Sequence, residues 1–229
     1  MPSEPAPERA CRWATFDCYG TLVDWETGIG DQLERLFGAA QRHRLLLRYH
    51  EIEPRVQKAS PTMRYRDVMA RVLAELASEA GRELPHDEEQ ALARSLPRWP
   101  VFREVADELA EARRRGWQLM ILSNTDRDLV DASIQAIGVP FSGAIVASEI
   151  GSYKPAHGHW KSFYQRTQAD PGRHVHVAQS HFHDIVPARE LGIRSVWINR
   201  LGEGAEAAPT RELPDLRGLP DVLDDLVPL

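Results

Sequence analysis

A chain of 229 residues with 42% hydrophobic and 27% charged residues is long enough to bury a full core and has an ordinary globular composition. With 28 basic against 34 acidic residues the formal net charge is −6, which argues against wholesale binding of nucleic acid. No apolar run approaches the roughly 18 residues a membrane span needs, so no membrane partner is expected. Two cysteines, Cys11 and Cys18, are too few for a disulfide framework or a four-ligand structural zinc site. The acidic, proline-rich start lacks the basic-then-apolar order of a secretory signal. A reducing cytoplasm is the expected location.

Residues 1–11 are expected to form a disordered tail. Trp13 to Phe16 is then a short apolar run ending at Asp17, the pattern of a buried first strand. Cys18-Tyr19-Gly20-Thr21 follows as a tight loop. From about Thr27 to Gln57 the periodicity is helical and basic, with Arg35, Arg42, Arg44, Arg48 and Arg55. Pro61 is placed to start a helix. Val68, Val72, Leu73 and Leu76 repeat with an amphipathic period, predicting a helix from Tyr65 to Ala80 that Gly81 ends. His86 to Leu96 reads as a further short helix. From Phe102 onward helix and strand alternate. Strands are predicted at 117–122, 144–146, 174–178 and 195–198, with helices at 105–115, 126–137, 159–167 and 185–191. Apolar strands separated by helices predict an α/β fold with a Rossmann-like parallel sheet covered on both faces. The core takes residues 12–23 and 99–229. The stretch 24–98 is an inserted helical cap over the carboxyl ends of the strands, where ligands bind in such folds.

The polar residues at those strand ends converge. The first strand leads to Asp17 and Thr21, and the second to Ser123 and Asn124. Lys154, one of only three lysines in the chain, follows the third; Ser180, His181 and Asp184 follow the fourth. Four strand ends supplying such groups in order are hard to obtain by chance.

Asp17-Cys18-Tyr19-Gly20-Thr21, Ser123-Asn124, Lys154-Pro155 and Asp184 resemble the four motifs of the haloacid dehalogenase (HAD) superfamily. Gly20-Thr21-Leu22-Val23-Asp24 and Trp197-Ile198-Asn199-Arg200 resemble its L-2-haloacid dehalogenase (type II) branch. The resemblance implies an enzyme, a hydrolase acting on carbon–halide bonds. It would cleave small 2-haloalkanoic acids through an ester on Asp17, without metal or other cofactor. It implies Asp17 as the nucleophile and Thr21 as its orienting partner. Lys154 would hold Asp17 ionised, and Asp184 would position Lys154 and activate the hydrolytic water. Ser123, Asn124, Tyr19, Ser180 and His181 are expected to contact substrate. The branch also uses a lid arginine that receives the halide. The spacing points to the Arg44–Arg48 stretch without choosing within it, and Arg48 is carried as the substrate-binding candidate. Trp160 stands where the branch usually has a tyrosine, six residues after the lysine, and is expected to line the site. A homodimer is also expected.

Two positions separate this chain from the phosphatases of the superfamily. Those carry an acid two residues after the nucleophile to protonate an alkoxide leaving group; here that residue is Tyr19, whose phenol has an ordinary pKa near 10. They also hold magnesium through acidic residues of the fourth motif, which usually starts Gly-Asp; here Ala178-Gln179 leaves Asp184 alone. Both departures favour carbon–halogen cleavage. A magnesium-dependent HAD-type phosphatase and a non-catalytic HAD-like binding protein are the alternatives, the second disfavoured by the joint presence of Asp17, Lys154 and Asp184. Three His-x-His pairs stand at His157/His159, His174/His176 and His181/His183. The second begins a strand, away from its functional end, and is expected to face solvent. Trp160 and His181 leave fluoroacetate among the candidate substrates.

Overall fold

The computed structural model describes residues 11–205 and 207–229. The tail expected to be disordered lies, apart from Cys11, outside the described residues. Six strands, β1 (Arg12–Phe16), β2 (Trp117–Ser123), β3 (Gly143–Val146), β4 (His174–Ala178), β5 (Arg194–Ile198) and β6 (Arg211–Leu213), form one sheet in the order β3-β2-β1-β4-β5-β6. Every neighbouring pair is parallel. The order reverses at β1, which lies between β2 and β4. The chain therefore winds outward to one side and then to the other, opening a crevice beyond the carboxyl end of β1. Helices α5 (Val105–Arg114), α6 (Arg127–Ile137), α7 (Ala147–Ile150), α8 (Gly158–Thr167), α9 (Val186–Glu190) and α10 (Leu219–Leu226) accompany the sheet. Double coverage explains why β1, β2 and β4 are buried almost throughout rather than on alternate residues. Among the described residues no helix is long and apolar enough to cross a membrane.

Between β1 and β2 lie α1 (Trp25–Phe37), α2 (Arg42–Ala59), α3 (Tyr65–Glu79) and α4 (Ala91–Ser95). The single helix expected over 27–57 is two. Asp24 caps α1, its Oδ1 accepting from the Thr27 amide at 3.0 Å. Gly38 ends α1 at φ +91°, a conformation that favours glycine. The helical periodicity is similar on both sides of the break, so the pattern alone hid it. Pro61 lies in a turn rather than at a helix start, and α3 begins at Tyr65. The stretch 86–96 contains a 3₁₀ turn and only a short α4. The polar edge strand β6 and the terminal α10 were not expected.

The four inserted helices are joined to the core at Asp126, the residue preceding α6. Arg64, which precedes α3, offers no side-chain cap. Asp126 supplies one from across the chain, accepting from the amides of Tyr65 at 2.9 Å and Arg66 at 3.1 Å, and from Arg66 Nε at 2.9 Å. A carboxylate at a helix N-terminus is favourable both as a cap and against the helix dipole.

His174 and His176 correct the sequence reading. Both are fully buried. Their strand is central, and α8 lays Trp160, Phe163 and Tyr164 against them. Position along a strand says nothing of burial when a helix covers that face.

Trp99 packs so tightly on α1 that a Cβ at Gly28 would lie 2.3 Å from Cγ of its indole ring. Gly28→Val is therefore expected to destabilise the fold by about 1–3 kcal/mol. That corresponds to a fall in melting midpoint of roughly 2–4 °C per kcal/mol, measured by circular dichroism. A wild-type midpoint would contradict the packing described.

Candidate active site

Asp17 leaves the end of β1 with its amide bonded to the Val177 carbonyl of β4 at 3.1 Å. Its carboxylate is held at both oxygens. Thr21 Oγ1 donates to Oδ2 at 2.8 Å, and Lys154 Nζ donates to Oδ1 at 2.9 Å. Thr21 Oγ1 in turn accepts from the Gln179 amide at 2.9 Å, which ties the loop after β1 to the one after β4. Lys154 uses all three of its ammonium protons. Besides Asp17 it donates to Asp184 Oδ1 at 2.6 Å and to the Leu122 carbonyl at 2.8 Å. Asn124 clamps the lysine's backbone, its Oδ1 accepting from the Lys154 amide at 2.6 Å and its Nδ2 donating to the Lys154 carbonyl at 3.0 Å.

These charges share a buried site. Burial alone would discharge Lys154, but Asp17 and Asp184 outweigh it and hold the ammonium above its ordinary pKa. Asp184 is held well below the usual carboxylate range: burial pushes it up, and Lys154 and His176 overcome that push. Asp17 moves the other way. Burial and the neighbouring charge of Asp184 raise it against the pull of Lys154 and Thr21. Of the two carboxylates sharing one lysine, Asp184 keeps its charge more firmly.

Behind Asp184 runs a chain of buried hydrogen bonds. His176 Nε2 lies 3.0 Å from Asp184 Oδ1 and His176 Nδ1 2.8 Å from Thr15 Oγ1. Thr15 Oγ1 is 2.8 Å from His174 Nε2, and His174 Nδ1 is 2.8 Å from the Tyr164 hydroxyl. The ionised Asp184 can only accept, so with one proton on each ring the directions follow. His176 donates to Asp184, Thr15 to His176, His174 to Thr15 and Tyr164 to His174. Burial, reinforced by His176, holds His174 well below its usual pKa, and burial pushes the Tyr164 phenol up to about 12, as this polarity needs. The chain consumes Asp184 Oδ1 and leaves Oδ2, at the cavity, without a protein partner.

The cavity above has a volume of about 600 Å³. Of the expected substrate contacts, Tyr19, Ser123, Asn124, Ser180 and His181 line it. Ser123 Oγ is buried and makes no hydrogen bond with the protein. Tyr19 lies 3.2 Å from Ser133 Oγ through its hydroxyl, and burial raises its phenol well above its usual value. Ser180 Oγ lies 3.0 Å from His183 Nδ1 and caps the His183 amide, and His181 Nε2 is bonded to the Ala207 carbonyl at 2.8 Å. These two form wall rather than free polar contacts.

Arg48 and Trp160 are corrected. Arg48 points outward from α2 into ion pairs with Glu79 and Glu51, and does not reach the cavity. Trp160 is fully buried on α8, with its edge against the His176 ring at 5.2 Å. It supports the buried chain from below. The inward face of α2 instead presents His50, Glu53, Pro54 and Gln57. Their i, i+3, i+4, i+7 spacing is one helix face, a signal the sequence reading passed over in favour of the arginines. Gln57 Oε1 meets Asn124 Nδ2 at 3.3 Å, linking that face to the lysine clamp.

The family model for haloacid dehalogenase-like hydrolases matches residues 11–192. The chain belongs to the haloacid dehalogenase-like hydrolases. An (S)-2-haloacid dehalogenase from Pseudomonas sp. strain YL is 26% identical over 216 residues, covering 91% of this chain and 93% of that enzyme. A phosphoserine phosphatase from Thermus thermophilus is 32% identical over 153 residues, covering 64% of this chain and 61% of that enzyme. Less than two thirds of the phosphatase is therefore spanned. The solved L-2-haloacid dehalogenase of Xanthobacter autotrophicus superposes with a TM-score of 0.84 at 19% identity, covering 93% of this chain and 98% of that one.

The magnesium of the phosphatase members of this hydrolase family does not fit these residues. Of the motif residues only Asp17 and Asp184 could offer it a carboxylate, and one oxygen of each is already bonded to Lys154 Nζ. Gln179 brings no charge, and among the described residues no group of three His, Cys, Asp or Glu side chains is arranged to hold a metal.

Lys154→Met would leave two buried carboxylates without their cation, a loss of about 3–5 kcal/mol. Both carboxyl pKa values would then rise above their unfolded values. The destabilisation should be largest near pH 8 and shrink towards pH 5 as protonation relieves it. Thermal melts of the variant and wild type at both pH values check this; an equal loss at both would contradict the charge sharing.

Proposed function

We propose that this enzyme hydrolyses small 2-haloalkanoic acids through an ester on Asp17, without metal. The observation that carries the reading is the single Lys154 ammonium bonded to both Asp17 and Asp184. Gln179 stands where a phosphatase would bring an acid to a divalent cation, and Tyr19 replaces the acid an alkoxide would need. An Asp17 oxygen attacks the halogen-bearing carbon and the halide leaves with the bonding electrons. Ser123 Oγ is free to meet the substrate carboxylate. In the second step water gives a proton to Asp184 Oδ2 and attacks the Asp17 carbonyl carbon. The 2-hydroxy acid departs with one former Asp17 oxygen, protonated by the second proton of the attacking water, and the proton taken up by Asp184 passes to solvent. The lowered pKa of Asp184 keeps it ionised, and His176 holds it in orientation.

The panel that tests the reading is halide release from fluoro-, chloro- and bromoacetate and from longer 2-haloacids, with and without chelator, beside a generic phosphate ester. Halide release that survives chelation is expected. A large magnesium-dependent phosphatase rate would overturn the proposal. Asp17→Asn should lose roughly 10⁴-fold or more of turnover. In a single turnover in oxygen-18 water the first product should carry ordinary oxygen and the label should appear in Asp17; label in that first product would mean direct attack by water. Asp184→Asn should release about one halide per site and stall, and His176→Phe should slow the second step more than the first. Loss of the burst in both variants would move Asp184 into the first step.

A cytoplasmic location is part of the same proposal, supported by two unbridged cysteines, Cys11 exposed and Cys18 buried. So is a homodimer, on the family resemblance, for which sedimentation equilibrium is the measurement.

A further inference from the structure

The lid's inward face carries an acid where a cation was expected. Glu53 lies on α2 and lines the same cavity as Asp17, with 8% of its surface exposed. The Tyr65 hydroxyl donates to its Oε1 at 2.9 Å, while Oε2 makes no hydrogen bond among the described residues. Arg48 is turned to the outer surface, and among the described residues no arginine lines the cavity. A halide leaving Asp17's substrate therefore meets no lid cation. It would be repelled by an ionised Glu53 and attracted by a protonated one, because a carboxylic acid presents an O–H donor.

We propose that Glu53, as the neutral acid, receives the departing halide by an O–H hydrogen bond from Oε2, and that this favours substrates whose halide is the strongest hydrogen-bond acceptor, fluoride first. The inference rests on the dehalogenase reading and names its leaving-group partner. The step balances without an added reactant. The Asp17 oxygen–carbon bond forms, the carbon–halogen bond breaks with its electrons on the halide, and Glu53 keeps or shares its proton with that halide. Any proton lost is restored from the one released when water cleaves the ester.

The surroundings favour the protonated form of Glu53. Burial raises its carboxyl to about 7, with the charge of Asp17 adding to the rise and the Tyr65 bond opposing it. The ionisable neighbours are Tyr49 on the preceding turn of α2, Tyr65 on α3, Tyr153 ahead of Lys154, and Asp17, with Lys154 and Asp184 across the cavity. Burial pushes all three phenols above their ordinary range, so they stay neutral. Lys154 and Asp184 stay charged. Nearer the mouth, His50 stacks on Trp25 with its Nε2 3.6 Å from Glu26; burial lowers His50 and raises Glu26.

The sign of the pH effect follows. The competent form is protonated, so halide release should fall as pH rises through about 7. Glu53→Gln keeps an N–H donor without a titrating proton and should abolish that fall between pH 6.5 and 8.5. Glu53→Leu removes the donor and should reduce fluoride release from fluoroacetate by roughly 10²-fold or more, with a smaller loss for bromide from bromoacetate. Burst rates of halide release across pH for wild type and both variants are the experiment. A wild-type alkaline fall in Glu53→Gln, or an unchanged fluoride-to-bromide ratio in Glu53→Leu, overturns the inference while the dehalogenase reading stands. If Glu53→Leu does not fold, the Glu53→Gln profile decides alone. No halide release by wild type from any haloacid overturns both.

Discussion

A buried ammonium with three acceptors is the constraint around which the site is built. Lys154 gives one proton each to Asp17, Asp184 and the Leu122 carbonyl near the end of β2. An unpaired charge at this depth would cost several kcal/mol, so the surrounding geometry has little freedom. The lysine's backbone must be held, and Asn124 holds it. Its carboxylates must not drift, and Thr21 and His176 fix one each. Because all three of its protons are engaged, the lysine binds the charge of Asp17 with no proton left for another partner.

Much of this was legible in the sequence because it is local. Asp17, Thr21, Ser123, Asn124, Lys154 and Asp184 all sit within a few residues of a strand end, and strands announce themselves by apolar runs bounded by glycine and polar residues. What could not be read depends on which faces meet. Arg48 and Glu53 lie on one helix, and the choice of which points inward depends on the break at Gly38 that sets the direction of α2. Trp160 was placed by family spacing, yet the tight cover of α8 over β4 sends it into the core. His174 and His176 were misjudged for the same reason: a polar pair at the start of a strand looks solvated until a neighbouring helix closes over it.

The buried histidines show how polar groups are accommodated in a core otherwise apolar. Each ring would be costly alone, but the run from Tyr164 to Asp184 gives His174, Thr15 and His176 a partner on both sides, and it ends on an ion. Trp160 and Phe163 supply its apolar walls. The arrangement separates two tasks that the carboxylate must perform. One oxygen is fixed by permanent neighbours, and the other is left for chemistry.

Tyr65 has an unusual double attachment. Its amide is bound by Asp126 of the core, and its hydroxyl holds Glu53 on the neighbouring helix. Lid and sheet therefore share a joint that runs from Asp126 through Tyr65 to the acid on the cavity wall. On the inward face of α2, Glu53 and Gln57 are tied to Tyr65 and to the lysine clamp, whereas the outer face carries ion pairs that touch neither. Such an architecture lets the lid's exterior drift in sequence while the wall above the reacting core stays constant.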